Sequence, residues 1–351
     1  MTECKVTSCK IARKAITMAE KKSIYKRGKR NPNGYYSNKR KRKEKITIII
    51  ALVLFIFSLA MSFLEKNDIF SWNDLNNATG TLNGPVNPDS SFSIYYLDVG
   101  QGDCTIIKSN ESVMMIDTST QNHSLDIQEA LKSLSIDKID YLVITHQHDD
   151  HMGSAKDIVD KYEVNNIIMP KLSEINMVTT TSYENLLKSI VNNNVNAISA
   201  TVGESFWLGD ASVQIFSPSK QDEDLNNMSI VLKVVYGETK FIFQGDAEKA
   251  VEKQLLNSDF DLSADIIKLG HHGSNTSSTD KYLKAVNPKY AIISCGADNS
   301  YGHPHDEVIE RLRKNNISFY ITAQTGDITV TSDGKNIDIQ TQNKEWLPIY
   351  E

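Results

Sequence analysis

The sequence predicts a layered α/β domain preceded by a single transmembrane helix. Three observations predict it: an uncharged apolar run at residues 46–64, a reversal of charge across that run, and, from residue 92 onward, short β-branched runs alternating with amphipathic stretches. The 351 residues are 23% charged and 40% hydrophobic, which is ordinary globular usage and excludes a wholly disordered chain. The net charge of −6 conceals the reversal: residues 1–45 hold 16 Lys or Arg against 3 Glu, a balance of +13, whereas residues 65–351 hold 22 basic and 41 acidic side chains, a balance of −19.

Taken in order, residues 1–45 read as a basic cytoplasmic tail. Lys39, Arg40, Lys41, Arg42, Lys43 and Lys45 abut the apolar run, and basic flanks stay on the cytoplasmic side, where they also meet anionic lipid. Residues 46–64 read as the transmembrane helix, since at about 1.5 Å per residue they cover roughly the 30 Å hydrocarbon core. Only Thr47, Ser58 and Ser62 interrupt the run, too few for the polar stripe of a buried core helix, and it is longer than a signal-peptide core. The body that follows is then extracytoplasmic on a single-pass membrane protein. Residues 65–90, rich in Asn, Asp, Gly and Pro, read as a flexible linker.

The folded domain is assigned to 91–342, with a short tail at 343–351. Strand-like runs lie at 92–99, 104–108, 113–117, 141–145, 166–170, 213–216, 230–236, 240–244, 265–269 and 290–294, because each concentrates β-branched and aromatic residues. Amphipathic, helix-like stretches lie at 127–134, 183–191, 247–256, 279–286 and 306–315. Of the four cysteines, Cys4 and Cys9 fall in the tail. Cys104 and Cys295 share the body, where a bridge and two buried thiols are both open.

The run at 141–145 leads into His146-Gln147-His148-Asp149-Asp150-His151. Two imidazoles two residues apart on extended backbone point the same way. As the chain turns toward a helix, Asp150 and His151 face a second point nearby. Three His and a carboxylate suit zinc, manganese or iron, whereas calcium and magnesium prefer all-oxygen shells. Asp246 closes the run at 240–244 on a Gly-Asp turn, as a ligand or as a helix N-cap.

This HxHxDH block resembles the signature of metallo-β-lactamase-fold hydrolases. Within that superfamily the chain is most similar to the hydrolase domain of ComEC-type competence proteins, on five segments: Leu97 to Asp103, the HxHxDH block, Gln244 to Asp246, Lys268 to Ser274, and Tyr301 to Pro304. The resemblance implies an αββα sandwich holding two divalent metal ions, zinc or manganese, at one edge. It implies that His146 and His148 bind the first metal, Asp150 and His151 the second, and that Asp246 bridges them, with His271 or His272 completing a shell. Asp98, Gln101 and Asp103 are expected to orient ligands. Lys268 belongs to the same motif set, and Ser274 is a hydrogen-bond donor to an anionic substrate or a helix cap. His303 is expected to polarise the substrate or protonate a leaving oxygen, and His305 to be a solvated helix-start residue.

Two departures stand out. No histidine lies between Met152 and Gly245, where many relatives supply a third ligand to the first metal, and Asn227 and Ser229 offer an amide and a hydroxyl instead. Asp117-Thr118-Ser119 carries Ser where the family usually has Gly, with little expected bearing on chemistry.

The implied activity is phosphodiester hydrolysis by hydroxide generated at the metal pair, with Asp150, Asp246 and His303 as catalytic groups and DNA among the candidate substrates. The body's charge of −19 opposes tight DNA binding. A phosphorylcholine esterase or lactonase activity and a non-catalytic metal-binding surface module are the alternatives. With one span, the chain is not expected to be a DNA channel.

Overall fold

The computed structural model describes residues 91–343, so the basic tail, the 46–64 span, the linker and the residues after 343 lie outside the described residues. Among the described residues no helix is long and apolar enough to cross a membrane.

The first half of the domain contains β1 (Phe92–Tyr96), β2 (Thr105–Ser109), β3 (Ser112–Ile116), α1 (Ser124–Ser133), β4 (Lys138–Val143), α2 (Asp149–Met152), α3 (Ala155–Lys161), β5 (Glu163–Met169), α4 (Thr181–Asn192) and β6 (Asn196–Ser199). The second contains β7 (Ser205–Leu208), β8 (Ala211–Ile215), β9 (Leu232–Tyr236), β10 (Thr239–Phe243), α5 (Lys249–Leu256), β11 (Ile266–Lys268), α6 (Asp280–Val286), β12 (Tyr290–Ile293), α7 (Asp306–Lys314), β13 (Ser318–Ile321), α8 (Thr322–Thr325), β14 (Ile328–Ser332) and β15 (Ile337–Thr341). Among the described residues these strands make an eight-stranded sheet ordered β15-β14-β1-β2-β3-β4-β5-β6 and a seven-stranded sheet ordered β13-β12-β11-β10-β9-β8-β7.

Burial explains the layering. β1 alternates buried and half-buried side chains, and its inward Ile94 and Tyr96 join Ile107, Val143, Val213, Leu232, Phe241 and Phe243 in an apolar layer between the sheets. On the outer face of the first sheet, Ile127, Leu131, Ile158 and Ile190 of α1, α3 and α4 close a second layer. Val251, Leu283 and Leu312 of α5, α6 and α7 close a third over the other sheet. The order is helix, sheet, sheet, helix, as expected for an αββα sandwich.

The ten strand-like runs coincide with β1–β5 and β8–β12. Strands β6, β14 and β15 are rich in polar residues, β15 alternating half-buried and exposed positions, and the apolar β7 and β13 are only four residues long, too short for a period to register. Two expectations need correction. Helix α5 begins at Lys249 with Glu248 in the capping position, so Asp246 caps nothing. Ser274 does not cap α6 either, since Thr279 occupies that position and accepts the N–H of Tyr282. Cys104 and Cys295 are both buried and free.

The topology determines where a site can form. β3, β4 and β5 run parallel in one sheet, and β10, β11, β12 and β13 run parallel in the other. The loops leaving the C-terminal ends of these strands carry Asp117, the His146–His151 block, Asp246 and the Gly270–Gly273 turn. Such loop clusters are the usual position of ligands in open α/β sheets.

Candidate metal centre

The centre is built from these strand ends. After β10 the chain reaches Asp246 through Gly245, at φ 51°, where a Cβ would approach Thr145 Cβ to 2.8 Å; glycine brings the two loops together. Asp246 is buried, and its N–H donates to Ser229 Oγ at 3.0 Å. Its Oδ2 lies 3.2 Å from His151 Nε2, 3.5 Å from His272 Nε2, 3.8 Å from His271 Nε2 and 3.9 Å from His146 Nε2. Asp150 Oδ2 stands 3.3 Å from His272 Nε2 and 4.0 Å from His151 Nε2.

Two of these imidazoles are held by the fold through their other nitrogen. Nδ1 of His151 lies 2.8 Å from Asp117 Oδ2, while the same carboxylate accepts the N–H and hydroxyl of Thr145, each at 2.7 Å. Nδ1 of His272 donates to the Ser294 carbonyl at 3.0 Å, with Asp103 Oδ1 3.2 Å away. Fixing Nδ1–H in this way turns the Nε2 lone pair toward the cluster, the arrangement found behind metal-ligating histidines. His271 and His272 both sit in the left-handed region, at φ 51° and 53°, a conformation that costs non-glycine residues energy. The His271 N–H to Gly245 carbonyl bond, at 3.1 Å, helps impose it.

Nε2 of His151, Nε2 of His272, Oδ1 of Asp103 and Oδ1 of Asp246 are buried without hydrogen-bond partners. Asp103, His151, Asp246 and His272 offer ligand atoms all within 4.8 Å of one another. Four neighbouring carboxylates, those of Asp103, Asp117, Asp150 and Asp246, are offset by one ammonium, that of Lys268, bound to Asp103 Oδ2 at 2.6 Å. Orphaned nitrogen and oxygen atoms in an anionic pocket fit divalent cations of the kind that accept mixed N/O ligands.

The electrostatics follow from this crowding. Burial opposes a charged His151, yet Asp246, Asp117 and Asp150 outweigh it and hold its pKa well above the usual value; His272 behaves likewise through Asp246 and Asp103. Burial alone would raise Asp103, but Lys268 and His272 bring it down to about 2. Asp150 and Asp246 are also lowered against their burial, by His151 and His272. His146 is lowered well below the usual value, by burial first and by the neighbouring His151 second.

The other expected residues divide. His146 is fully buried and its Nε2 lies 2.9 Å from Nδ1 of the half-buried His148, the two rings standing edge to face outside the four-residue cluster. His271 stands at the rim, its Nδ1 held by Glu248 Oε1 and Thr276 Oγ1, both at 3.1 Å. Gln101 and His303 line a cleft of about 380 Å³ that opens over Asp150, Asp246 and His272. His303 is brought down to about 4 by burial, His272 and His271, and its Nδ1 is buried without a partner. Asn227 Oδ1 is likewise orphaned, but it is Asn226 that lines the cleft, and Ser229 Oγ lies 3.3 Å from His146 Nδ1.

Asp98 is not brought to the cluster: it is exposed, and its carboxylate accepts the N–H of Gly100 in the turn. Asp103 stands where an orienting group would, its Oδ1 3.2 Å from His272 Nδ1, and its carboxylate is also within 4.8 Å of the other ligand atoms of the cluster. Ser274 is buried and bonded to Thr276. His305 accepts the N–H of Asn275 at 2.9 Å rather than standing free in solvent.

The 117–119 turn bears on the chemistry more than its sequence suggests. Asp117 orients His151, and Ser119 takes the left-handed conformation, at φ 50°, that glycine would adopt more easily. A signal for Asp117 existed: like Asp246, it is a carboxylate ending a buried strand. The Ser294 carbonyl left none, being main chain.

With this geometry in view, sequence comparison is decisive. A family model described as the metallo-β-lactamase superfamily matches residues 97–297. The chain belongs to the metallo-β-lactamase superfamily. Among curated relatives of this superfamily member, ComE operon protein 3 of Bacillus subtilis is 29% identical over 251 residues, covering 66% of this chain and 32% of the relative. Recombination protein 2 of Haemophilus influenzae is 29% identical over 259 residues, 72% of this chain and 30% of the relative. Competence protein ComA of Neisseria gonorrhoeae is 29% identical over 243 residues, 68% and 32% respectively. The metallo-β-lactamase chain thus spans about a third of the length of the curated relatives it matches.

Proposed function

We propose that this chain is a membrane-anchored, extracytoplasmic phosphodiester hydrolase that uses two divalent metal ions. The observation that carries the reading is the convergence of Asp150, His151, Asp246 and His272 on one point beneath an open cleft, with buried Nε2 atoms lacking partners. His146, His148 and Asp246 would hold one ion; Asp150, His151, His272 and Asp246 would hold the other. Bound ions would supply Lewis acidity toward a phosphoryl oxygen and a water whose pKa is lowered to about 7.

The protein's own groups do the rest. Asp246 and Asp150 remain ionised at neutral pH because the imidazoles of His151 and His272 outweigh their burial. Both are therefore hydrogen-bond acceptors, suited to orient an attacking water. Both line the cleft, and Asp150, with 30% of its side chain exposed, is the more accessible of the two. His303 is neutral at pH 7 and would serve through a ring N–H placed toward a leaving oxygen, not as an imidazolium. The relatives named for competence and recombination make DNA the first substrate to try.

Asp246→Ala in the metal-loaded full chain is expected to lower hydrolysis of a chromogenic phosphodiester by at least about a hundredfold; turnover within twofold of the parent would refute the reading. The anchor rests on the uncharged 46–64 run and the basic residues before it, which would also engage anionic lipid. Protease added to intact cells should remove the body and spare the tail, and the reverse pattern would overturn the orientation. A second reading, a small ester such as a phosphocholine conjugate, is favoured by the acidic body.

A further inference from the structure

Among the described residues lining the cleft, Tyr301 is the single carbocyclic aromatic side chain. It is 65% exposed. Its ring lies 5.6 Å from that of His303 with 18° between the planes; His303 lies 6.2 Å and 30° from His272, and His272 5.2 Å and 37° from His151. A ladder of rings thus climbs from the buried cluster to solvent, its planes becoming more nearly parallel, and it ends on an aromatic ring still largely in water.

The loop that carries the last rung is already braced. Asn299 Nδ2 donates to the carbonyls of Gly296 and His303, at 2.7 and 2.6 Å, and Asn299 Oδ1 accepts the His303 N–H at 2.8 Å. A ring held by such a loop loses little freedom when a ligand covers it.

Resting on the phosphodiesterase reading, we propose that Tyr301 is the stacking platform for a nucleobase beside the scissile phosphate, so that the substrate class is a nucleic acid presenting an unpaired base. Three features select this ligand. A base needs one open aromatic face, which the cleft provides, whereas a quaternary ammonium is recognised by a cage of several such faces. A duplex keeps its base faces stacked, and a body carrying −19 opposes tight binding along a paired backbone. Stacking, in contrast, does not depend on charge, so an acidic domain can grip a polyanion at one nucleotide.

The test uses the metal-loaded full chain in detergent and two slowly cleaved, fluorescently labelled phosphorothioate strands, one of oligothymidylate and one abasic. Binding is read by anisotropy. Stacking supplies about 1–3 kcal/mol per base, so Tyr301→Ala should weaken the thymidylate strand by roughly 5- to 150-fold and leave the abasic strand within twofold. Tyr301→Phe should restore the thymidylate affinity. Equal weakening of both strands, no weakening of either, or no binding by the parent protein overturns the proposal. So does displacement of the thymidylate strand by phosphocholine but not by thymidine monophosphate. If base-dependent binding holds while the ordinary phosphodiester strand is never cleaved, the hydrolase reading fails and the stacking site stands.

Discussion

On the inner side of the cleft, His151 and His272 each hand Nδ1 to an oxygen of the fold, Asp117 Oδ2 at 2.8 Å and the Ser294 carbonyl at 3.0 Å. In the outer half, so termed because His148 is only half-buried, the fully buried His146 has only hydroxyls at its Nδ1, Thr145 Oγ1 at 3.2 Å and Ser229 Oγ at 3.3 Å, and its Nε2 faces His148. The inner imidazoles are buried among carboxylates, which hold their pKa values high. The outer His146 is pushed the other way by burial and by His151. Two parts of one motif, separated by a few residues, thus occupy opposite electrostatic environments. A cation entering the inner half meets oriented imidazoles, whose Nε2 protons it displaces, among four carboxylates, whereas one entering the outer half must organise its own shell.

The largest expected effect is the loss of a whole equivalent of metal. Titration of the metal-free full chain with manganese should show two unequal classes of site, and His148→Ala should remove the weaker class while leaving the tighter one in place. Equilibrium dialysis with elemental analysis gives the count. Two classes of equal affinity, or loss of the tight class on His148→Ala, would break the contrast between the halves.

The fold was legible where strands are long, apolar and central, and obscure at its edges. β9 and β10 read directly from their sequence because both faces are buried, while β6 and β15 carry too few buried positions for a period to register. For the site, the HxHxDH spacing located the correct loop, since period two on extended backbone is a local property. What the spacing could not convey is how the second sheet closes the site. The carboxylate of Asp103, placed one loop after β1, meets Lys268 of β11 across 165 residues of sequence. That contact depends on the packing of the sheets, and so does the position of His272 over Asp246. The role of Asp117 likewise depends on a partner 34 residues away, His151, which no local pattern around the 117–119 turn announces.

A smaller effect tests the inner half through Asp117. Its carboxylate accepts three bonds at once, from the Thr145 N–H, the Thr145 hydroxyl and His151 Nδ1, from a left-handed backbone at φ 60°. Asn tolerates that backbone conformation and keeps the shape, so Asp117→Asn should fold. An amide has one acceptor oxygen where the carboxylate has two, and it is neutral, so the variant cannot satisfy Thr145 and His151 together. His151 then loses both its fixed Nδ1–H and part of the negative charge that favours a cation beside it. Changes behind metal-ligating histidines typically cost about 10–100-fold in affinity. Competition with a chromogenic chelator should show a loss of that order in the tight class and a smaller one in the weak class, which feels Asp117 only through the Thr145 hydroxyl, 3.2 Å from His146 Nδ1. An equal loss in both classes would mean that Asp117 supports the loop as a whole; a loss concentrated in the tight class means that it acts chiefly through one imidazole.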